Sequence, residues 1–197
     1  IDLFNGKDLA GWECFLVDDS AKLEDVWSVN DDGILICKGE PMGYLATKEK
    51  YKNFKLLVVW RWAPGKEPGN SGVLLRITGE PMMLPKCVEA QLKSGSAGDI
   101  WAFQGFQVTT DSTRFREVEN DNIGKFMGVG KAEGNEKEPG KWNEYEITLD
   151  GGQLILEVNG KKVNQCTGCD VVAGQIGLQS EGGEIHFKTV KLLPLDD

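Results

Sequence analysis

The sequence predicts an all-β protein, a two-sheet antiparallel sandwich, and three observations point there. Gly, Asn, Asp and Pro punctuate the chain about every ten residues, the spacing of short strands joined by turns. Between them lie runs rich in Val, Ile, Leu and aromatics, several alternating with a period of two, so that one side of each strand is apolar. No segment sustains the 3.6-residue period of a helix; only residues 21–26 read as a single helical turn.

From the N-terminus, strands are expected over 27–29, 34–38, 44–47, 54–62, 72–78, 87–93, 142–150, 153–158, 161–165, 174–179 and 185–192. Asp31-Asp32-Gly33, Asp150-Gly151-Gly152 and Asn159-Gly160 are turns, because Gly and Asn accept the positive φ that tight hairpins require. Parity within the strands assigns Phe54, Leu56, Val58, Trp60, Val73, Leu75, Val88, Leu92, Ile176, Leu178 and Phe187 to the core, with Ile77 on the same side as Val73 and Leu75. Trp12, Trp27 and Trp142, each beside turn residues, read as structural. The stretch 94–140, rich in Gly, Asn and charge, reads as long loops with at most a short hairpin, decorating one side of a single domain over 1–197.

The 197 residues suffice for one large β domain, and an apolar fraction of 40% is too high for disorder. A formal charge of −9 argues against nucleic acid or an anionic membrane surface, both of which attract Lys- and Arg-rich faces. A neutral ligand such as a sugar suits it. No apolar run approaches the ~18 residues of a membrane span. The chain starts Ile1-Asp2-Leu3 without Met, which reads as a trimmed product and is compatible with export. Five cysteines (Cys14, Cys37, Cys87, Cys166, Cys169) leave at least one thiol unpaired within a monomer. Cys166-x-x-Cys169 lacks a second such pair, and one His is too few to complete a zinc site. A disulfide, with Cys87–Cys169 as one pairing, and plain buried thiols both remain open.

The faces opposite the core carry the chemistry. Arg61, Arg76, Glu89, Gln91, Gln179 and Glu181 all fall there by parity; if their strands are neighbours in one sheet, they form a polar groove. Amide, carboxylate and guanidinium groups suit sugars because they bond adjacent hydroxyls in pairs. The alternative is a set of solvated positions in separate places. Trp101, with Asp99 on the Gly-rich stretch before it, either stacks on a sugar ring or folds under its own loop as a plug. His186, the sole histidine, shares an outward face with Lys188; it is a candidate ligand-binding residue or a structural hydrogen-bonder.

Absent motifs narrow the field. There is no phosphate-binding Gly-rich loop, no Gly-x-Ser-x-Gly and no His-Glu-x-x-His. The Glu-x-Asp-x-x-Glu run of sandwich glucanases is missing too, Glu89-Ala90-Gln91 having an amide where that pattern has an acid. Taken together, Leu3-Phe4-Asn5-Gly6-Lys7-Asp8-Leu9-Ala10-Gly11-Trp12, Asn70-Ser71-Gly72-Val73-Leu74-Leu75-Arg76, Val88-Glu89-Ala90-Gln91-Leu92, Val158-Asn159-Gly160 and Ile176-Gly177-Leu178-Gln179 resemble the 3-keto-disaccharide hydrolase-type domain family. The resemblance runs in order over nearly the whole chain. It implies a concanavalin A-like jelly roll, a secreted or periplasmic setting, and activity on glycosides oxidised at C3. Many members carry Asp-His-Gly where this chain has Ser180-Glu181-Gly182, so a role of that His would pass to Glu181 or be lost.

Two functional classes follow. An enzyme of this kind needs a base near the C2 proton and a cation or donor near the C3 oxygen. Glu89 is the first candidate base and Glu181 the second. Arg76, aided by Arg61, is the candidate oxyanion partner, with Gln91 and Gln179 positioning hydroxyls. A divalent metal on Glu89 or Glu181 is an alternative to the arginine, on which the sequence is silent. The other class is a carbohydrate-binding module, marked by a shallow groove with solvated carboxylates rather than a desolvated Glu in a pocket.

Overall fold

The computed structural model describes residues 1–110, 113–121 and 123–196. Fifteen strands among them form two antiparallel sheets packed as a sandwich. The first sheet runs, in spatial order, β1 (Trp12–Leu16), β4 (Gly43–Thr47), β14 (Gln175–Ser180), β6 (Gly72–Thr78), β7 (Lys86–Gln91), β8 (Ile100–Phe103), β10 (Gly124–Val129) and β9 (Phe115–Asn120). The second runs β13 (Lys161–Cys166), β12 (Gln153–Val158), β11 (Asn143–Asp150), β5 (Phe54–Trp62), β15 (Ile185–Pro194), β3 (Leu35–Cys37) and β2 (Trp27–Val29). One helical turn, α1 (Leu23–Val26), leads into β2, and no helix among the described residues is long and apolar enough to cross a membrane.

Alternation decides which side of each strand is buried. In β5, Phe54, Leu56, Val58, Trp60 and Trp62 are all buried while the residues between them are not. All eleven core positions expected from parity lie in the main hydrophobic cluster between the sheets. Burying whole aromatic and aliphatic side chains there stabilises the fold by about 1.5–3 kcal/mol apiece relative to exposure. The hairpins close where the turn residues stand: Asp150 pairs with Gln153 and Val158 with Lys161, with Asn159 and Gly160 at φ 52 and 75.

Three features depart from the sequence reading. The 94–140 stretch contributes β8, β9 and β10, which extend the first sheet. β9, at the sheet's edge, is polar on both faces, and its charges resist edge-to-edge pairing while hiding any period-two signal. β1, which was not expected, is likewise an edge strand. In β6, Arg76 adopts φ 53 and the register with β7 shifts between Leu75 and Thr78. This bulge resets the parity, so Ile77 joins Tyr44 and Leu74 in a second cluster on the sheet's outer face rather than the core. All five cysteines are free thiols. Cys87 belongs to the outer-face cluster and Cys169 to the core, which removes the Cys87–Cys169 pairing.

Candidate functional site

The first sheet lines up a row of side chains on its outer face. Leu74 pairs with Glu89, Glu89 with Trp101, Trp101 with Gly128 and Gly128 with Arg116, so these five share one side across five strands. Two of the strands contribute space instead of a side chain. A methyl group on Gly72 would collide with the Glu89 carboxyl, and one on Gly128 would collide with the Trp101 ring. Glu89 therefore leans over Gly72 and the indole lies across Gly128. Between them opens a cavity of about 320 Å³. Its polar side carries Glu89, Gln91, Lys93, Asp99 and Glu181; its apolar side carries Leu84, Trp101, Phe103 and Phe126, with Arg116 at the aromatic end.

The two glutamates sit at different depths. Glu89 is only 2% exposed, and its Oε1 has no hydrogen-bond partner among the described residues. Burial pushes its pKa well above the ordinary carboxylate range, and the nearby Glu181 charge adds to this. Glu181, partly exposed just beyond β14, is pushed up to about 7 by burial, against the pull of Lys93. A neutral acid thus stands beside a carboxyl half ionised near neutrality. Gln91 accepts from the amides of Leu92 (2.9 Å) and Lys93 (2.8 Å) through Oε1, which leaves its amide N–H groups for the cavity. Asp99 accepts from the Lys131 amide at 2.8 Å and lies 3.8 Å from Arg116. The Arg116 guanidinium sits 5.0 Å from the Trp101 ring centre, and Phe126 lies 5.5 Å from it. Trp101 is therefore part of a strand and forms a cavity wall. Gln179, 2% exposed, pairs with Tyr44 on the same outer face, and its Oε1 also lacks a partner among the described residues.

Four expected residues do not line the cavity: Gln179 shares its sheet face without reaching it, and three others lie elsewhere. Arg76, at its bulge, does not line the cavity: its guanidinium donates to Lys52 O (2.8 and 2.6 Å), Asp170 O (2.5 Å) and Asn53 Oδ1 (3.2 Å), tying two loops to β6. Arg61 and His186 belong to β5 and β15, on the second sheet. There Arg61 Nε donates to His186 Nδ1 at 3.3 Å and its guanidinium stacks on Trp142 at 4.4 Å, while His186 Nε2 lies 2.9 Å from Glu184 Oε1. Parity reports a face turned from the core but not which sheet bears it. Conversely, Lys93, Arg116 and Asn70 line the cavity without having been singled out. Lys93 shares the parity of Glu89 and Gln91, a signal present in the sequence; Arg116 sits on the edge strand that alternation could not reveal. Among the described residues no group of three or more His, Cys, Asp and Glu side chains is arranged to hold a metal ion. The cavity's donors do not fit one.

Solved structures place the fold. A protein from Parabacteroides distasonis proposed to be a glycosyl hydrolase superposes with a TM-score of 0.69 at 23% identity, over 99% of this chain and 98% of its own. A carbohydrate-binding module from Bacillus subtilis gives 0.65 at 11% identity, covering 92% and 94%. The β-glucanase of Bacillus licheniformis gives 0.60 at 13% identity, covering 98% and 97%. These likenesses establish the concanavalin A-like sandwich. No curated protein matches the chain in sequence. Residues 1–193, nearly the full length and including every wall of the cavity, match the model of one family, and the chain belongs to the 3-keto-alpha-glucoside-1,2-lyase-like domains.

Proposed function

We propose that the cavity on the first sheet binds a glycoside oxidised at C3 and cleaves it by removing the C2 proton. The observation that carries this reading is the pair of glutamates of unlike depth facing an aromatic wall. A sugar ring offers hydroxyl edges and an apolar C–H face, and the cavity offers amides and carboxyls on one side and Trp101, Phe103 and Phe126 on the other. The volume of about 320 Å³ lies at the small-ligand end of such pockets.

A ketone at C3 acidifies the C2 proton. Glu181, ionised from about pH 7, is the base, since its pKa is matched to that task and Lys93 favours its charged form. Electron density moves onto the C3 oxygen as the C2–H bond breaks. Glu89, neutral in its buried seat, donates a hydrogen bond to that oxygen and stabilises the enolate, the role that a carboxylic acid kept protonated can fill. The enolate then re-forms the ketone and expels the C1 substituent, leaving a C1–C2 double bond to which water can add. The roles expected from sequence, Glu89 as base and Glu181 as reserve, are exchanged because the deeper carboxyl holds its proton. Gln91 N–H groups suit a neighbouring hydroxyl.

The family membership supports this substrate class, and the depth of the carboxyls favours it over a binding module, whose shallow groove would leave them solvated. The test is incubation with 3-keto-glucosides and with their unoxidised parents, following products by mass. Cleavage of the keto forms alone is expected. Sugar binding without turnover of any 3-keto-glycoside would overturn the assignment.

A further inference from the structure

A second cluster of reactive groups lies on the other sheet, at the C-terminal end of β13. Cys166 and Cys169 are separated by Thr167 and Gly168, and their sulfurs stand 3.7 Å apart. That is thiol–thiol hydrogen-bond contact, and closing it to the ~2.05 Å of a disulfide needs side-chain rotation rather than movement of strands. The backbone is already set for it. Gly168 takes φ 65, Thr167 pairs its amide and carbonyl with Thr109 at 2.8 and 2.6 Å, and the Cys169 amide donates to Gly152 O at 3.1 Å. The turn that brings the two sulfurs together is thus held from both sides.

The two thiols differ. Both are almost wholly buried, but Cys166 also lines a polar cavity of about 540 Å³ with Thr109, Gln165 and Thr167. Cys169 belongs to the core cluster and feels the charge of Arg76, whose guanidinium binds the carbonyl of the adjoining Asp170 at 2.5 Å. The bond from Cys166 and the Arg76 charge both favour thiolate on Cys169, and the same bond, with burial, keeps the proton on Cys166. Among the described residues no other two thiols make such a contact: Cys87 is shut into the outer-face cluster, and Cys14 and Cys37 are pushed up by burial to about 11 and 12.

We infer that Cys166 and Cys169 form a specific oxidation site, converted to an intramolecular disulfide by exchange with a small organic disulfide that enters through the Cys166 cavity. Cys169 in its thiolate form takes the proton of Cys166, the sulfur on the cavity wall, across the 3.7 Å contact, and the Cys166 thiolate attacks the incoming disulfide. The S–S bond of that disulfide breaks, one half forming a mixed disulfide on Cys166 and the other leaving as a thiol after taking up a proton. Cys169, on losing its proton, attacks Cys166 Sγ and expels the second half as thiol. The protein loses two hydrogens and two electrons, and the small disulfide becomes two thiols.

The experiment uses the folded wild-type chain incubated with oxidised glutathione, quenched, unfolded, and titrated for free thiols. The expected count falls from five to three, with a mass lower by two hydrogens and a peptide cross-link joining 166 to 169. In Cys169→Ser the mixed disulfide has no resolving thiol, so one glutathione should remain attached at Cys166; in Cys166→Ser none should attach at Cys169. Five free thiols after incubation, or a cross-link joining any other pair, would overturn the inference. Near-ultraviolet circular dichroism of both variants separates loss of the fold from loss of the chemistry.

Discussion

At the residue scale, catalysis depends on which glutamate keeps its proton. Glu181→Gln should lower kcat for a 3-keto-glucoside by about 10²–10⁴-fold with little change in KM, since it removes the base and not the shape. The wild-type kcat/KM should rise with pH through about 7 as Glu181 ionises, and that rise should be missing from the residual activity of the variant. Glu89→Gln keeps an N–H donor and should stay within about tenfold of wild type. Glu89→Leu removes the donor and should cost about 10²–10³-fold in kcat. Arg76→Met should instead destabilise the fold, by about 3 kcal/mol or more, because the carbonyls of Lys52 and Asp170 lose a charged donor. The kcat of the folded enzyme should be unchanged; thermal unfolding beside steady-state kinetics separates the two. Arg76 was legible as outward-facing but not as structural, since the positive φ that turns it to the loops is set by tertiary contacts of a non-glycine residue.

At the scale of the strand, two glycines shape the site by what they lack. Gly72 in β6 and Gly128 in β10 are not at positive φ, so alanine fits the backbone at each and the effect of the substitution is steric. Gly72→Ala should push the Glu89 carboxyl out of its seat and lower kcat by about 10²-fold, the scale of loss from a displacement near 1 Å. Gly128→Ala should tilt Trp101 and weaken binding, seen as a raised KM and a changed tryptophan fluorescence on adding sugar. Strands with one apolar face, such as β5 and β12, were legible to the residue because alternation is preserved over their length. β1, β8 and β9 were not: two lie at the sheet's edge, and β8 is four residues long, too short to express a period. β8 and β9 bring Trp101 and Arg116 to the cavity, so Trp101 could be singled out in the sequence without its strand, while Arg116 stayed hidden.

At the scale of the molecule, the sandwich sets the site by choosing a sheet. Parity could state that Arg61, Glu89 and His186 leave the core, but a two-layer fold has two outer faces, and only the strand order assigns β7 to one and β5 and β15 to the other. The buried carboxyl also links the site to stability. An unfolded Glu89 releases its proton near 4.5, while the folded chain holds it to well above that value. From about 4.5 upward the folded state therefore binds the extra proton, and its stability falls as pH rises toward the folded pKa; below 4.5 both states are protonated and the contribution is whole. Thermal unfolding should show Glu89→Gln gaining on the wild type steadily as pH rises above 4.5. Removal of the C2 proton by Glu181 can be followed with a 3-keto-glucoside carrying deuterium at C2. With wild type the label should pass to solvent as the C1 substituent leaves, and with Glu181→Gln neither should occur; cleavage that keeps the deuterium on C2, or that proceeds equally on the unoxidised glucoside, would rule out that role for Glu181.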